Sequence, residues 1–197
     1  MLSLDQNYWN NRYLQGQTGW DIGAASTPLK GYIDQLIDRQ QRILIPGGGN
    51  SYEAAYLMEN GFADVTVLDI APALITSLET RFAHWLDKGL HLICENFFDH
   101  QVRYDLVLEQ TFFCALDPSL RRDYVQHMHR LLLPGGVLAG VLFDTDFPGR
   151  QGPPFGGSLS EYRDLFAPFF EIRHLAPCYN SIPPRQGSEV FIEFVKP

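Results

Sequence analysis

The chain has 197 residues, of which 45% are hydrophobic and 19% are charged, the composition of one folded globular domain rather than of a disordered segment. Its formal net charge of −8 and the lack of any basic run argue against a nucleic-acid partner. No apolar run approaches the roughly 20 residues that a bilayer span requires, so no membrane partner is expected either.

Cysteine usage and the N-terminus both indicate the cytoplasm. Cys94, Cys114 and Cys178 are widely spaced and have no His pair at zinc spacing, so we expect neither a disulfide framework nor a metal site. Cys94 lies within an apolar run and is predicted to be a core residue. The polar and aromatic N-terminus lacks the basic and apolar regions of a signal peptide. The expected protein is a cytoplasmic monomer or weak homodimer.

The first clear pattern along the chain is a strand–helix–strand unit. The apolar run at 42–45 stops at Pro-Gly-Gly-Gly and predicts a buried strand. A helix is predicted over 51–60, with Asn50 and Glu53 at the spacing of a capping box. The run at 65–68 predicts the next strand. Because a helix separates the two strands, we expect them to be parallel.

The rest of the chain repeats this alternation before it ends in two strands. The predicted elements are a helix over 72–85, strands over 91–93 and 105–108, a helix opened by Asp117 and Pro118, a strand over 137–143, a helix over 159–166, and strands over 169–174 and 189–195. The prediction is a single α/β domain over 1–197, Rossmann-like, with a mostly parallel seven-stranded sheet, an antiparallel C-terminal strand and helices on both faces.

The turn after the first strand predicts a nucleoside site, because ligands of such sheets bind at the carboxyl ends of the strands. The turn contains Gly47 and Gly49, and Asp69 ends the second strand 22 positions after Gly47, where a carboxylate can accept hydrogen bonds from ribose hydroxyls. Tyr52 occupies the third glycine position of the dinucleotide fingerprint. Since that glycine serves a pyrophosphate, its absence favours S-adenosylmethionine over NAD. An ordinary tight turn is the structural alternative.

Short stretches spread in order over nearly the whole chain match one enzyme family. They lie at 8–13, 18–21, 45–49, 68–70, 95–98, 111–116, 133–136, 152–155 and 182–185, and they include Thr-Phe-Phe-Cys-Ala-Leu at 111–116 and Gly-Pro-Pro-Phe at 152–155. Through them the chain resembles the class I S-adenosylmethionine-dependent methyltransferases, and within these the thiopurine/thiol (halide) methyltransferase family. The resemblance implies a class I methyltransferase fold and S-adenosylmethionine as the cofactor.

The resemblance also implies the cofactor contacts. An N-terminal segment, residues 1–26, covers the cofactor and brings the aromatic rings to its sulfonium, which aromatic faces attract. The implied cofactor residues are Trp9, Tyr13, Trp20, Gly47, Gly49, Asp69, Ile70, Asn96, Phe97 and Glu109. Asn96 stands where the family usually has an acidic residue, and its side-chain oxygen can still accept a hydrogen bond from the adenine amino group. We expect the covering segment to become ordered mainly against the cofactor.

The implied acceptor contacts are Glu109, Phe112, Phe113, Phe155, Tyr179 and Arg185. Their structural alternatives are a solvated carboxylate for Glu109, plain core for the phenylalanines and an ion pair for Arg185. We expect a small-molecule acceptor, a thiol, bisulfide or halide, methylated by in-line displacement. Such an anion needs no strong general base, which agrees with the lack of an obvious catalytic histidine or lysine. The alternatives are a catalytically silent S-adenosylmethionine-binding module with a sensing or scaffold role, and an NAD-dependent reductase, against which Tyr52 argues.

Overall fold

The computed structural model describes residues 3–197; Met1 and Leu2, which belong to the predicted covering segment, lie outside the described residues. The helices are α1 (Gln6–Leu14), α2 (Thr27–Ile33), α3 (Tyr52–Glu59), α4 (Pro72–Arg81), α5 (Arg121–Leu131) and α6 (Leu159–Phe166). The strands are β1 (Arg42–Pro46), β2 (Asp64–Asp69), β3 (Leu90–Cys94), β4 (Tyr104–Gln110), β5 (Leu132–Phe143), β6 (Glu171–Pro177) and β7 (Glu189–Val195). None of the helices within residues 3–197 combines the length and the apolarity needed to cross a membrane.

The seven strands form one sheet in the order β3-β2-β1-β4-β5-β7-β6. The strands β1 to β5 run parallel, and β7 is antiparallel to both of its neighbours. Parallel neighbours require long crossovers, which the helices supply, whereas β6 reaches β7 through a short connection and pairs with it antiparallel. The predicted mostly parallel sheet with an antiparallel C-terminal strand is confirmed.

Alternate residues of the central strands face two hydrophobic layers. Leu44 of β1 and Val107 of β4 lie in a cluster completed by α5 and α6, whereas Ile43 and Leu106 lie in a cluster completed by α2, α3 and α4. Burial of each such side chain contributes about 1.5–3 kcal/mol. Helices therefore cover both faces, as predicted, and the carboxyl ends of the parallel strands are left to form a site.

The predicted capping box at Asn50 and Glu53 is wrong. The helix α3 begins only after Ser51, whose φ of 50° places it in the left-handed region. The Asn50 side chain donates instead to Asp21, and the buried Glu53 carboxylate accepts a 2.9 Å hydrogen bond from the Ser26 backbone N–H. Both side chains therefore tie the N-terminal segment to the core instead of capping the helix.

The prediction that Cys94 is a core residue is also wrong. Cys94 ends β3, an edge strand of the sheet, and its side chain is exposed. An edge strand has a neighbour on one side only, so an apolar run there does not require full burial. Cys114 and Cys178 are buried. The helix predicted to open at Pro118 begins with a 3-10 turn over Pro118–Leu120 and becomes α-helical at α5.

Candidate active site

A cavity of about 680 Å³ lies where β1, β2 and β4 end, beneath the N-terminal segment. The predicted site residues on its wall are Trp9, Tyr13, Trp20, Gly47, Asp69, Ile70, Asn96, Phe97, Phe112 and Arg185. These residues come from both ends and the middle of the chain. The parallel order of the strands brings them together, because it places the loops that follow β1, β2, β3 and β4 at one edge of the sheet.

The glycine turn gives the cavity its floor. Gly47 has a φ of 57°, and a Cβ atom there would lie 2.2 Å from the Phe112 ring, so a side chain at this position displaces that ring. Gly49, with a φ of 51°, is not on the cavity wall; its backbone N–H lies 3.4 Å from an Asp69 carboxylate oxygen. Gly47 therefore borders the cavity directly, and Gly49 acts on it through Asp69.

Asp69 ends β2 on the cavity wall. Its carboxylate accepts hydrogen bonds from the backbone N–H groups of Ala71, at 3.0 Å, and Gly49, at 3.4 Å. Burial raises its pKa to about 6, although these donors oppose the rise. A carboxylate has about four acceptor sites, so Asp69 keeps the capacity to accept from hydroxyl groups in the cavity.

The N-terminal segment forms the roof of the cavity. Trp20 packs edge-on against Trp9 and Tyr13, with ring centroids 5.6 and 5.8 Å apart. Burial raises the pKa of the Tyr13 hydroxyl well above its usual value, so that the ring stays neutral. The Asn10 side chain accepts a 2.8 Å hydrogen bond from the Ala73 backbone N–H in the first turn of α4. This bond fastens α1 to the start of α4.

The loop after β3 forms one end of the cavity. Asn96 accepts a 3.0 Å hydrogen bond from the Phe98 backbone N–H and so caps the 3-10 turn that follows it. Glu95, which was not predicted as a site residue, is also on the wall. Its carboxylate lies 3.1 Å from Nδ1 of the buried His100, whose Nε2 lies 2.7 Å from the Tyr104 hydroxyl. A buried network therefore holds an acidic side chain beside Asn96.

Another part of the cavity wall is largely apolar. It comprises Phe112, Leu116, Leu120, Phe143, Phe147, Pro153 and Pro154, and the charged side chains of Arg150 and Arg185 also lie on the wall. Arg185 donates to the Trp20 carbonyl oxygen at 3.1 Å and lies 3.5 Å from the Glu189 carboxylate. Phe143 and Phe147 were not predicted from the sequence, although Phe143 ends β5, the strand next to β4, and such an end faces the site.

Four predicted acceptor residues are not on the cavity wall. Phe113 is 1% exposed and packs against Tyr124 and Tyr162, so it is a core residue. Tyr179 is 89% exposed, because it lies in the connection between β6 and β7. Phe155 contributes its backbone N–H to the Cys114 carbonyl oxygen at 2.7 Å, beside the cavity.

Glu109, the fourth, is completely buried and is neither a cavity contact nor a solvated loop carboxylate. Its position follows from β4, which is central in the sheet and carries the side chain toward α5.

The model of the thiopurine S-methyltransferase family matches residues 4–191 of the chain. The chain belongs to this family. It is 30% identical to a probable thiol methyltransferase 2 of Arabidopsis thaliana, over 92% of this chain and 81% of that protein. It is also 30% identical to thiocyanate methyltransferase 1 of Brassica oleracea, over 95% of this chain and 84% of that protein. Enzymes of the thiopurine S-methyltransferase family use S-adenosylmethionine, so the protein is an S-adenosylmethionine-dependent methyltransferase rather than a silent module or an NAD-dependent reductase.

A solved structure confirms the fold. The 1,6-didemethyltoxoflavin-N1-methyltransferase of Burkholderia thailandensis, with bound 1,6-didemethyltoxoflavin and S-adenosylhomocysteine, matches with a TM-score of 0.76 at 21% identity. The match covers 97% of this chain and 86% of that chain. The class I methyltransferase fold implied by the resemblance is therefore present.

The residues of the cavity suit S-adenosylmethionine. Asp69 is a buried carboxylate that has only backbone donors among the described residues, as expected of a group that binds hydroxyls. A Cβ atom at Gly47 would overlap the ring of Phe112, so glycine at this position lets the Phe112 ring pack directly against the floor of the cavity. The rings of Trp9, Tyr13 and Trp20 face the same space and can receive a cation.

Proposed function

We propose that the enzyme transfers the methyl group of S-adenosylmethionine to a small anionic nucleophile, a thiolate, bisulfide or halide, by in-line displacement. The observation that carries the proposal is the guanidinium of Arg185, which lies on the cavity wall, donates to the Trp20 carbonyl oxygen and lies 5.6 Å from the centroid of the Phe143 ring. The name of the Brassica oleracea relative, a thiocyanate methyltransferase, supports an acceptor that is an anion.

The Arg185 side chain is well placed to attract an anion. It is only 13% exposed, and the Trp20 carbonyl and the Glu189 carboxylate hold its orientation. A fixed cation acts more strongly at such a site than in water, because little solvent screens it. Arg150 is more exposed and lies over Phe147 at 5.5 Å from the ring centroid, so it adds positive charge to the cavity wall.

The other predicted residues bind S-adenosylmethionine at the second end of the cavity. In the proposal Asp69 accepts hydrogen bonds from the ribose hydroxyls, while Ile70, Asn96 and Phe97 surround the adenine. Trp9, Tyr13 and Trp20 cover the sulfonium from the N-terminal side. Glu95, beside Asn96, adds an acceptor that offsets the missing acidic residue.

The chemistry requires alignment more than proton transfer. S-adenosylmethionine, when bound, supplies a methyl group attached to a positively charged sulfur. After the transfer this sulfur is part of a neutral thioether, which is a good leaving group. The protein holds the acceptor in line at roughly 3–3.5 Å and excludes water. The apolar wall formed by Phe112, Phe143 and Phe147 excludes the water. Because the acceptor arrives already ionised, no side chain of the site has to remove a proton.

An acceptor panel tests the proposal. Formation of S-adenosylhomocysteine is measured with iodide, thiocyanate, bisulfide and small thiols, and with a neutral amine and a phenol for comparison. We expect turnover with the anionic group of acceptors. Arg185→Gln is expected to raise the KM of these acceptors about tenfold, because a fixed positive charge at a site with little water strengthens the binding of an anion by about this factor.

The control is Arg173→Gln, which removes an exposed arginine of β6 that pairs with Glu171 far from the cavity wall. This variant should keep the wild-type KM. A preference for the neutral amine or the phenol, or an unchanged KM in Arg185→Gln, would contradict the proposed acceptor class.

A further inference from the structure

The end of β4 contains a buried carboxylate whose hydrogen bonds point to a role near the site. Glu109 is 0% exposed. One of its oxygens accepts from the backbone N–H groups of Phe112, at 2.8 Å, and Phe113, at 3.0 Å. The other accepts from the Tyr124 hydroxyl at 2.6 Å. No arginine, lysine or histidine within residues 3–197 forms an ion pair with it, so these three donors replace water entirely.

The segment that Glu109 binds is strained. Thr111 has a φ of 62°, and it is one of three non-glycine residues with a positive φ between residues 3 and 197. The left-handed region is costly for a β-branched residue such as threonine and persists only where the surroundings enforce it. The two amides that follow Thr111 are the ones that Glu109 holds. The carboxylate therefore stabilises the sharp turn that the chain makes as it leaves β4.

This turn determines one part of the cavity wall. Thr111 and Phe112 both lie on the wall. The Phe112 ring packs so closely on Gly47 that a Cβ atom there would be 2.2 Å away. Phe112 thus joins the cofactor floor at Gly47 to the apolar acceptor side. A small shift of the turn moves the wall at the boundary between the two ligands.

We propose that Glu109 is a positioning residue for methyl transfer. Its carboxylate keeps Thr111 in the left-handed conformation and seats Phe112 against Gly47, so that cofactor and acceptor meet in one geometry. The proposal rests on the proposed function of the cavity. In this proposal Glu109 does not make the direct ligand contact that the sequence predicted but holds Phe112 in position.

Two substitutions of Glu109 separate shape from charge. In Glu109→Gln the amide oxygen can still accept from both backbone N–H groups, and the amide nitrogen can donate to the Tyr124 oxygen. This variant should keep kcat and the affinity for S-adenosylhomocysteine within about threefold. Glu109→Ala leaves three donors unpaired and frees the turn. Its kcat should fall about a hundredfold, the cost of a misplacement near 1 Å, and its affinity for S-adenosylhomocysteine about tenfold.

A suppressor distinguishes positioning from a general loss of stability. Glycine adopts a positive φ without strain, so Thr111→Gly allows the turn to form without the carboxylate. The double variant Glu109→Ala, Thr111→Gly should recover at least about tenfold of the lost kcat and most of the affinity. Tyr124→Phe, which removes one donor and keeps the core volume, should lower kcat about tenfold with the acceptor KM unchanged.

The control is Phe194→Leu, a substitution in the same hydrophobic cluster at a residue that is not on the cavity wall. It lowers the melting temperature without touching the turn, and its kcat and affinity should stay within about threefold of wild type. The proposal is overturned if Glu109→Ala and Tyr124→Phe behave like this control, or if Thr111→Gly restores nothing. The affinity for S-adenosylhomocysteine is measured by calorimetry without any acceptor, so a wrong acceptor class leaves that part of the test intact.

Discussion

At the scale of single residues, Asp69 combines burial with two backbone donors and a position on the cavity wall. Its replacement by alanine removes the proposed hydrogen bonds to the ribose. Two bonds to a charged group are worth about 3 kcal/mol together, so Asp69→Ala should weaken S-adenosylhomocysteine binding about a hundredfold in a calorimetric titration. Asp164→Ala, at an exposed position of α6 that is not on the cavity wall, is the control and should change the affinity less than threefold. An unchanged affinity in Asp69→Ala would remove Asp69 from the cofactor site.

The raised pKa of Asp69 should give cofactor binding a pH dependence. Its pKa is about 6, and only the ionised form accepts hydrogen bonds from both hydroxyls well. The affinity for S-adenosylhomocysteine should therefore fall as the pH decreases below about 6. In Asp69→Asn this dependence should disappear. If the variant keeps the wild-type slope, a different group is responsible.

The same carboxylate should lower the stability of the protein at neutral pH. Folding raises the pKa of Asp69 from 3.8 to about 6, so the stability linked to its protonation is complete below pH 3.8 and is lost as the pH rises through 6. Between about pH 4 and 7.5, the difference in unfolding free energy between wild type and Asp69→Asn should move by about 2 kcal/mol in favour of the variant. Urea denaturation at several pH values measures this difference. Parallel pH profiles would contradict the raised pKa.

The positions of site residues were predictable from the sequence where the backbone determines them. Gly47 and Asp69 follow directly from the strand–turn–helix pattern, and both lie on the cavity wall. The surroundings of Glu109 were not predictable, because its three donors come from the turn after β4 and from α5, and pairing of this kind leaves no local pattern. Tyr179 was expected at the site, yet nothing in the local sequence shows that its connection turns outward into solvent.

At the scale of elements, α1 depends on the rest of the site for its position. No residue of α1 is fully buried, and the helix α4 has no side-chain cap of its own. Asn10 supplies the missing acceptor to the Ala73 backbone N–H. Asn10→Ala should therefore speed amide hydrogen exchange over residues 6–14 and weaken S-adenosylhomocysteine binding about fivefold, the value of one such cap near 1 kcal/mol.

Asn11→Ala is the matched control, since Asn11 lies on the same helix and is exposed. It should leave both the exchange and the affinity unchanged. In the wild type, addition of S-adenosylhomocysteine should slow exchange across α1, because the segment orders against the ligand. Equal exchange in both asparagine variants would show that the bond to Ala73 does not fasten the segment.

Element boundaries were predictable to different degrees. The bounds of α6 and β7 agree with the sequence patterns, because apolar spacing and nearby polar residues mark their ends locally. The strand β6 begins two residues later than expected and extends to Pro177, since pairing with β7 determines its length. The strand β5 begins at Leu132, five residues before the predicted start at 137, because Leu132 pairs with Tyr104 ahead of an irregularity in the register.

At the scale of the whole molecule, the fold was predictable because the strand–helix alternation allows few topologies. The site was only partly predictable, because its two halves come from different kinds of sequence. The proposed cofactor half follows strand ends that have recognisable patterns. The proposed acceptor half includes Phe143, Phe147 and Arg150, which lie at the end of β5 and in the loop beyond it, and only the folded sheet brings them to Phe112.

The pH profile of kcat/KM for a series of thiols shows whether the enzyme methylates an acceptor that arrives as an anion. The series should include thiols with pKa values on both sides of the ordinary value near 8.5. We predict that the rise of kcat/KM with pH follows the pKa of each thiol, and that iodide gives a flat profile above about pH 7, where Asp69 is already ionised. One common inflection for all thiols, also present with iodide, would show that a group of the protein controls the step and would contradict the account.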